Sequence, residues 1–108
     1  PLPSCDLLLV RHCLFHLCFN DINNFLKNIS FAKYKYLLID THVLDNSFEN
    51  RDISSGGFRL IDLYSQPFNF KKNKVLDKIR EGYNIEFPKD VLLFDKKNVP
   101  ISISSVPK

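Results

Sequence analysis

The chain has no methionine, no tryptophan, only three glycines and only three cysteines among its 108 residues. Without Met the sequence does not open at an initiator residue, and Pro1-Leu2-Pro3 is expected to be the interior of something longer. Cys5, Cys13 and Cys18 are odd in number and lack CxxC spacing. That pattern argues against a disulfide framework and fits a reducing compartment, so free, partly buried thiols and a cytoplasmic location are expected. Long apolar runs are missing too: none approaches the ~20 residues that span a bilayer, and no basic segment leads into a signal-like stretch. No membrane association is expected. Charge of one sign is equally scarce, with a net charge of +3 and a pI near 8.9. The basic residues are dispersed apart from Lys71-Lys72-Asn73-Lys74, which reads as a solvated loop, and nucleic-acid binding is not expected.

What is present is an ordinary globular composition, 44% hydrophobic and 25% charged, long enough for one domain. The organising stretch runs from Asp6 to Ile29. It opens on the apolar run Leu7-Leu8-Leu9-Val10, of the kind that suits a strand buried on both faces of a parallel sheet. Polarity returns with Arg11, His12 and His16. Ile22, Phe25, Leu26 and Ile29 then follow at the spacing of an amphipathic helix, with Asn20 and Asp21 as its expected start. A second apolar run, Tyr36-Leu37-Leu38-Ile39, ends in Asp40-Thr41-His42. The pattern is strand, helix, strand. A right-handed crossover would make the two strands parallel and bring both polar ends to one sheet edge, where open α/β folds bind ligands.

Thr41 to Gly57 is too polar for core, and its glycine pair, Gly56-Gly57, permits positive φ or close backbone approach. Phe58 to Tyr64 has strand-like composition and stops at Gln66-Pro67-Phe68. Val75 to Tyr83 is read as extended or mixed, Val91 to Asp95 as a strand, and Lys96-Lys97-Asn98 as the turn after it. Ile101 to Ser104 alternates and is expected to add an edge strand or to fray.

Two groupings bear on chemistry. Cys5, His12, Cys13, His16 and Cys18 offer nitrogen and sulfur ligands in a short window, and His12 and His16 at i, i+4 would share a helix face. The missing CxxC knuckle and the direction of Cys13 speak against zinc, and no metal is expected. Asp40-Thr41-His42 has the D-x-H form of metal-dependent hydrolases but lacks a second ligand cluster. Arg11 would pair with Asp40 or Asp6 if its role is structural, and His16 would cap or pack in the turn.

Three blocks give the sequence a family resemblance: Asp6-Leu-Leu-Leu-Val-Arg11 with Leu14, His16 and Leu17; Lys35-Tyr36-Leu37-Leu38-Ile39; and Asn50-Arg51-Asp52-Ile53 with Gly56-Gly57-Phe58-Arg59, Asp62-Leu63 and Pro67-Phe68. Together they resemble the C-terminal half of a class I S-adenosylmethionine-dependent methyltransferase, and most closely a bacterial branch carrying D-apolar-R-D-x-L-x-H-L and N-x-D-I-x-x-G-G-[WF]-R-x-x-[ND]-L-x-x-x-P-F. The resemblance covers most of the chain up to Phe70. It implies a partial Rossmann-like α/β sheet in which a strand-helix-strand unit is followed by mostly extended C-terminal strands. It also implies S-adenosylmethionine as cofactor of the complete domain, and a methyl acceptor of unknown identity. Arg11 and His12 would line the cofactor's methyl end, His12 or His16 would be the catalytic base, and Asp52, Gly57 and Arg59 would shape the acceptor pocket.

The chain departs from that branch at His12, where the branch carries Asp. Gly56, Gly57 and Gly82 do not follow a strand and open a helix, so the cofactor's glycine-rich turn is absent from this sequence. A competing reading is a non-catalytic remnant or protein-interaction module with half a Rossmann fold. Either way, Leu7 to Val10 would stand at an open sheet edge, where pairing with a second copy is expected.

Overall fold

Apolar residues at positions 19, 22, 26 and 29 give the single long helix one continuous stripe, and that stripe decides where the helix lies. In a computed structural model describing residues 4–82 and 87–104, the described residues form four strands and this helix. They are β1 (Leu7–Val10), α1 (Phe19–Ser30), β2 (Tyr36–His42), β3 (Asp77–Glu81) and β4 (Lys89–Asp95), with single 3-10 turns at Leu14–His16, Lys72–Lys74 and Lys96–Asn98. Phe19, Ile22, Leu26 and Ile29 of α1 are buried against the sheet residues Leu37, Ile39, Leu92 and Phe94 and the loop residues Phe68 and Phe70. Each such burial contributes on the order of 1.5–3 kcal/mol.

The sheet order is β1-β2-β4-β3. β1 runs parallel to β2, with Leu7 beside Tyr36 and Val10 beside Ile39. β4 is antiparallel to both neighbours, pairing Tyr36 with Asp95 on one side and Asp77 with Leu93 on the other. The described residues therefore form a small α/β structure with a four-stranded mixed sheet and one α-helix. The expected strand-helix-strand unit with parallel strands is present.

Several expectations change. β1 is not buried on both faces: Leu7 is 49% and Leu9 60% exposed, because α1 covers only the face that carries Leu37 and Ile39. α1 starts one residue before Asn20, with Cys18 at its cap. The Cys18 sulfur accepts from the Asp21 N–H, and Phe19 is drawn into the core edge-on to Phe68. β2 extends past Asp40 to His42, since Thr41 and His42 continue the pairing with β4. The reading of Val75 to Tyr83 as extended or mixed agrees with β3, which spans Asp77–Glu81, while Tyr83 lies outside the described residues.

The expected strand over Phe58 to Tyr64 does not form. Residues 58–62 have no regular structure and Leu63 and Tyr64 lie in a turn; backbone bonds such as His42 N–H to the Ile61 carbonyl (2.9 Å) and several side chains hold the segment. The Thr41 hydroxyl donates to the Ile61 carbonyl (3.2 Å) and accepts from the Leu63 N–H (2.9 Å), and His42 Nδ1 accepts from the Ile61 N–H (3.0 Å). On its other side the Asn50 amide donates to the Asp62 and Gln66 carbonyls and accepts from the Asp62 N–H, all within 2.8–2.9 Å. Side chains thus satisfy the backbone that a neighbouring strand would otherwise satisfy. Ile101 to Ser104 likewise adds no strand. Ile103 N–H is taken by Asn23 Oδ1 and Ser104 N–H by the Pro67 carbonyl.

Candidate functional site

The parallel strands β1 and β2 deliver their C-terminal ends side by side, and the polar residues after each meet there. The chain leaves β1 through His12, whose φ is 54°, a left-handed conformation that His tolerates better than most residues. The turn is pinned to β2, because the His12 N–H points at the Asp40 carboxylate (3.2 Å to Oδ2). His12 and His16 therefore do not share a helix face. Only Leu14–His16 is helical, a single 3-10 turn that buries Leu14 and Phe15 and leaves His16 exposed.

Phe15 is the hub of an aromatic cluster. Its ring centroid lies 4.6 Å from His16, 5.3 Å from His42, 5.6 Å from Phe58 and 6.2 Å from His12. Phe58 stands nearly perpendicular to Phe15 and His42, at 73° and 85°, the edge-to-face arrangement that the ring quadrupole favours. Two backbone bonds carry Phe58 there: Gly56 N–H to the His16 carbonyl (2.8 Å) and Arg59 N–H to the Phe15 carbonyl (3.2 Å). Gly56 has φ 97°, which a side chain would make strained, so the glycine is needed for this alignment.

The two exposed histidines meet different partners. His16 Nδ1 lies 2.8 Å from the Gly57 carbonyl, which can only accept; the proton sits on Nδ1 and the Nε2 lone pair is free. His12 Nδ1 lies 2.6 Å from Lys89 Nζ, an ammonium that can only donate. Its Nε2 faces a second donor, Arg11 Nη2, at 3.4 Å, so both ring nitrogens of His12 are met by cations. His16 Nε2 is the ring nitrogen left open to a ligand.

Beneath them Asp40 is 3% exposed and faces Lys89 Nζ at 3.6 Å and Arg11 Nε at 3.7 Å; Arg11 also pairs with Glu81 on β3. The expected pairing of Arg11 is thus with Asp40 and Glu81. Burial, then the nearby Lys89 charge, pushes the His42 pKa below its ordinary value, with Asp40 partly opposing. The Ile61 N–H at Nδ1 acts in the same direction, since only an unprotonated nitrogen accepts it. Burial and the Asp40 charge raise the Cys13 thiol, which disfavours the thiolate and hence nucleophilic chemistry at this sulfur.

Of the residues singled out from sequence, Arg11, His12, His16 and Gly57 converge here, and Asp52 and Arg59 do not. Asp52 Oδ1 accepts from the Phe19 N–H (2.7 Å) and the Ile53 N–H (2.9 Å), which caps α1. Ser55 Oγ accepts from the Cys18 N–H (3.0 Å) and donates to Asp21, a second tie to the same helix end. Arg59 is 1% exposed: its Nη1 donates to the Leu14 carbonyl (3.0 Å), and its guanidinium lies over the Phe19 ring at 5.5 Å. Nε and Nη2 have no hydrogen-bond partner. Both hold backbone: Asp52, itself exposed, the start of α1, and Arg59, buried, the Leu14 carbonyl. Gly57 does reach the rim, through its carbonyl.

Phe15, Phe58, His42 and Lys89 were not singled out as members of this site. An aromatic between two histidines and another after a glycine pair were the available signals. Lys89 had none, lying 77 residues from His12 along the chain. Concavities of about 450 and 460 Å³ lie elsewhere, around Asn69 and Ser102 and between Leu26 and Pro100. Among the described residues no group of His, Cys, Asp or Glu is arranged to hold a metal, and no helix is long and apolar enough to cross a membrane. Protein-family models, curated proteins and solved structures provide no match to this chain.

Proposed function

We propose that the chain forms the C-terminal part of a class I S-adenosylmethionine-dependent methyltransferase domain, with the His12–His16 cluster facing the methyl acceptor. The observation that carries this reading is the strand order. The sheet of that class ends in two parallel strands followed by an antiparallel last strand inserted before the sixth, and the order β1-β2-β4-β3 with antiparallel β4 has that form. The site's position supports it as well, since open α/β sheets bind ligands beyond the carboxyl ends of their parallel strands.

The cofactor does not fit the residues of this chain alone. It requires backbone that closes on its methionyl part and a carboxylate for its ribose hydroxyls. An added Cβ on Gly56 meets nothing within 4 Å, so that glycine is not a close-approach position, and the Asp40 carboxylate is already engaged by Arg11, His12 and Lys89. Arg11 and His12 are left at the border of a cofactor site whose main holders would lie outside this sequence. His16 can still serve the acceptor: its free Nε2 takes a proton from an O–H or N–H, while the Gly57 carbonyl stabilises the positive ring through Nδ1–H.

A second reading, a non-catalytic interaction module, is favoured by the open β1 edge with its exposed Leu7 and Leu9. The coding sequence upstream separates the two. An in-frame G-x-G-x-G after a strand pattern is expected, and the extended polypeptide should bind S-adenosylhomocysteine with micromolar affinity where the 108-residue chain binds weakly or not at all. A stop codon or unrelated start, or tight binding by the chain alone, would overturn the proposed arrangement.

A further inference from the structure

We infer that the cluster of His12, Phe15, His16 and Phe58 is a binding platform for a planar heteroaromatic ring bearing an N–H donor. Phe58 is the key residue. It is 55% exposed although Phe15, His16 and His42 surround it, with ring centroids 5.6, 5.9 and 6.1 Å away. Phe15 and His42 meet it nearly edge-to-face, which fixes the orientation of Phe58 while its exposed surface remains available for stacking. An exposed aromatic on a flexible loop would lose mobility on binding. This one is already positioned by the Gly56 and Arg59 backbone bonds, so less ordering is required.

The flanking histidines specify what kind of ring. His12 and His16 both contact Phe15 and both are exposed; the Gly57 carbonyl holds the proton on His16 Nδ1, while both nitrogens of His12 face the cations Lys89 and Arg11. The platform therefore presents a lone pair at His16 Nε2. A purely aliphatic ligand would leave it unsatisfied and would not stack on Phe58, whereas a nucleobase-like edge carries the matching N–H donor. Lys89 is a positioning residue here: it acts through His12, and its own Nζ lies 5.4 Å from the Phe15 ring centroid.

Ring binding is independent of methyl transfer, so it is tested without a methyl donor. Adenosine, cytidine, S-adenosylhomocysteine and cyclohexanol are titrated into the chain while the ring resonances of Phe15, Phe58, His12 and His16 are followed by NMR. Adenosine and cytidine are expected to give saturable shifts on Phe58 and His16, and cyclohexanol none. Phe58→Leu, which keeps the apolar bulk but removes the stacking surface, should weaken adenosine binding about tenfold, with Phe58→Tyr close to the parent. Lys89→Met should alter the His12 ring ¹⁵N pattern, moving Nδ1 away from its acceptor state. Saturable shifts with adenosine and S-adenosylhomocysteine but not cytidine would assign the platform to an adenosyl ring rather than to an acceptor base. Equal shifts with cyclohexanol, shifts unaffected by Phe58→Leu, or no saturable shift with any planar probe would overturn the inference.

Discussion

Arg59 carries a positive charge into the interior with one hydrogen bond and two unpartnered nitrogens, and burial lowers its pKa, with Asp52 partly opposing. Burying such a group is costly, and an apolar side chain of similar length serves nearly as well. Arg59→Met should therefore leave urea stability within about 1 kcal/mol of the parent, whereas Arg59→Ala, which opens a cavity beside Phe19, should cost roughly 2–5 kcal/mol. A reversed order of the two variants would show that the charge, not the volume, matters. His42 supplies a pH dependence. Its folded pKa lies below the ordinary 6.5, so the unfolded chain binds the proton more readily. Stability is unaffected above that value and falls as pH drops through about 6.5 toward the lower folded pKa. His42→Asn keeps an oxygen acceptor for the Ile61 N–H and should remove this part of the slope, as measured by thermal melts between pH 5 and 8.

The helix shows what could be read from the chain and what could not. The 3.6-residue stripe of Ile22, Leu26 and Ile29 is local, and so is the apolar run of each strand; α1, β1, β2 and β4 were legible for that reason. What caps α1 was not, because Asp52 and Ser55 reach it from 33 and 37 residues away. The strand-like composition of Phe58 to Tyr64 was real, but composition cannot say whether a backbone partner or the side chains of Thr41, His42 and Asn50 will bind it. Asp52→Ala should destabilise the fold by roughly 0.5–2 kcal/mol and speed amide exchange over the first turn of α1, with Asp52→Asn losing less. Unchanged exchange at Phe19 in the Ala variant would mean that Ser55 alone holds the helix end.

For the molecule as a whole, α1 covers one face of the sheet, the other is exposed at Leu7, Leu9, Tyr36 and Ile79, and β1 forms the margin of the described strands. Placing β1 at the margin followed from the resemblance, in which the strand beyond it is missing, but the convergence of Phe58 and Lys89 on the two histidines depended on the antiparallel return of β4, which no local pattern announced. An apolar unpaired edge recruits another strand. The chain is expected to sediment as a dimer or to aggregate, and Leu9→Lys, at a 60% exposed position, should shift it to monomer with little loss of stability. Slow exchange at every amide from Leu7 to Val10 in a demonstrably monomeric sample would show that the edge is already filled.

The way Asn50, Thr41 and His42 lace residues 50–66 in place also sets an order in time. The bonds to Thr41 and His42 cannot form until β2 exists, nor the bond from Asp52 until α1 presents its first turn, and they close loops of 19 to 33 residues whose entropy must be lost first. The laced segment is therefore expected to dock after the strand-helix-strand unit has assembled, and to be absent from the folding transition state. Asp52→Ala would then accelerate unfolding while leaving the refolding rate nearly unchanged, a partition that a chevron measurement reads directly. The same segment carries Phe58, so the ring platform would be the last part of the molecule to be built and the first to come apart.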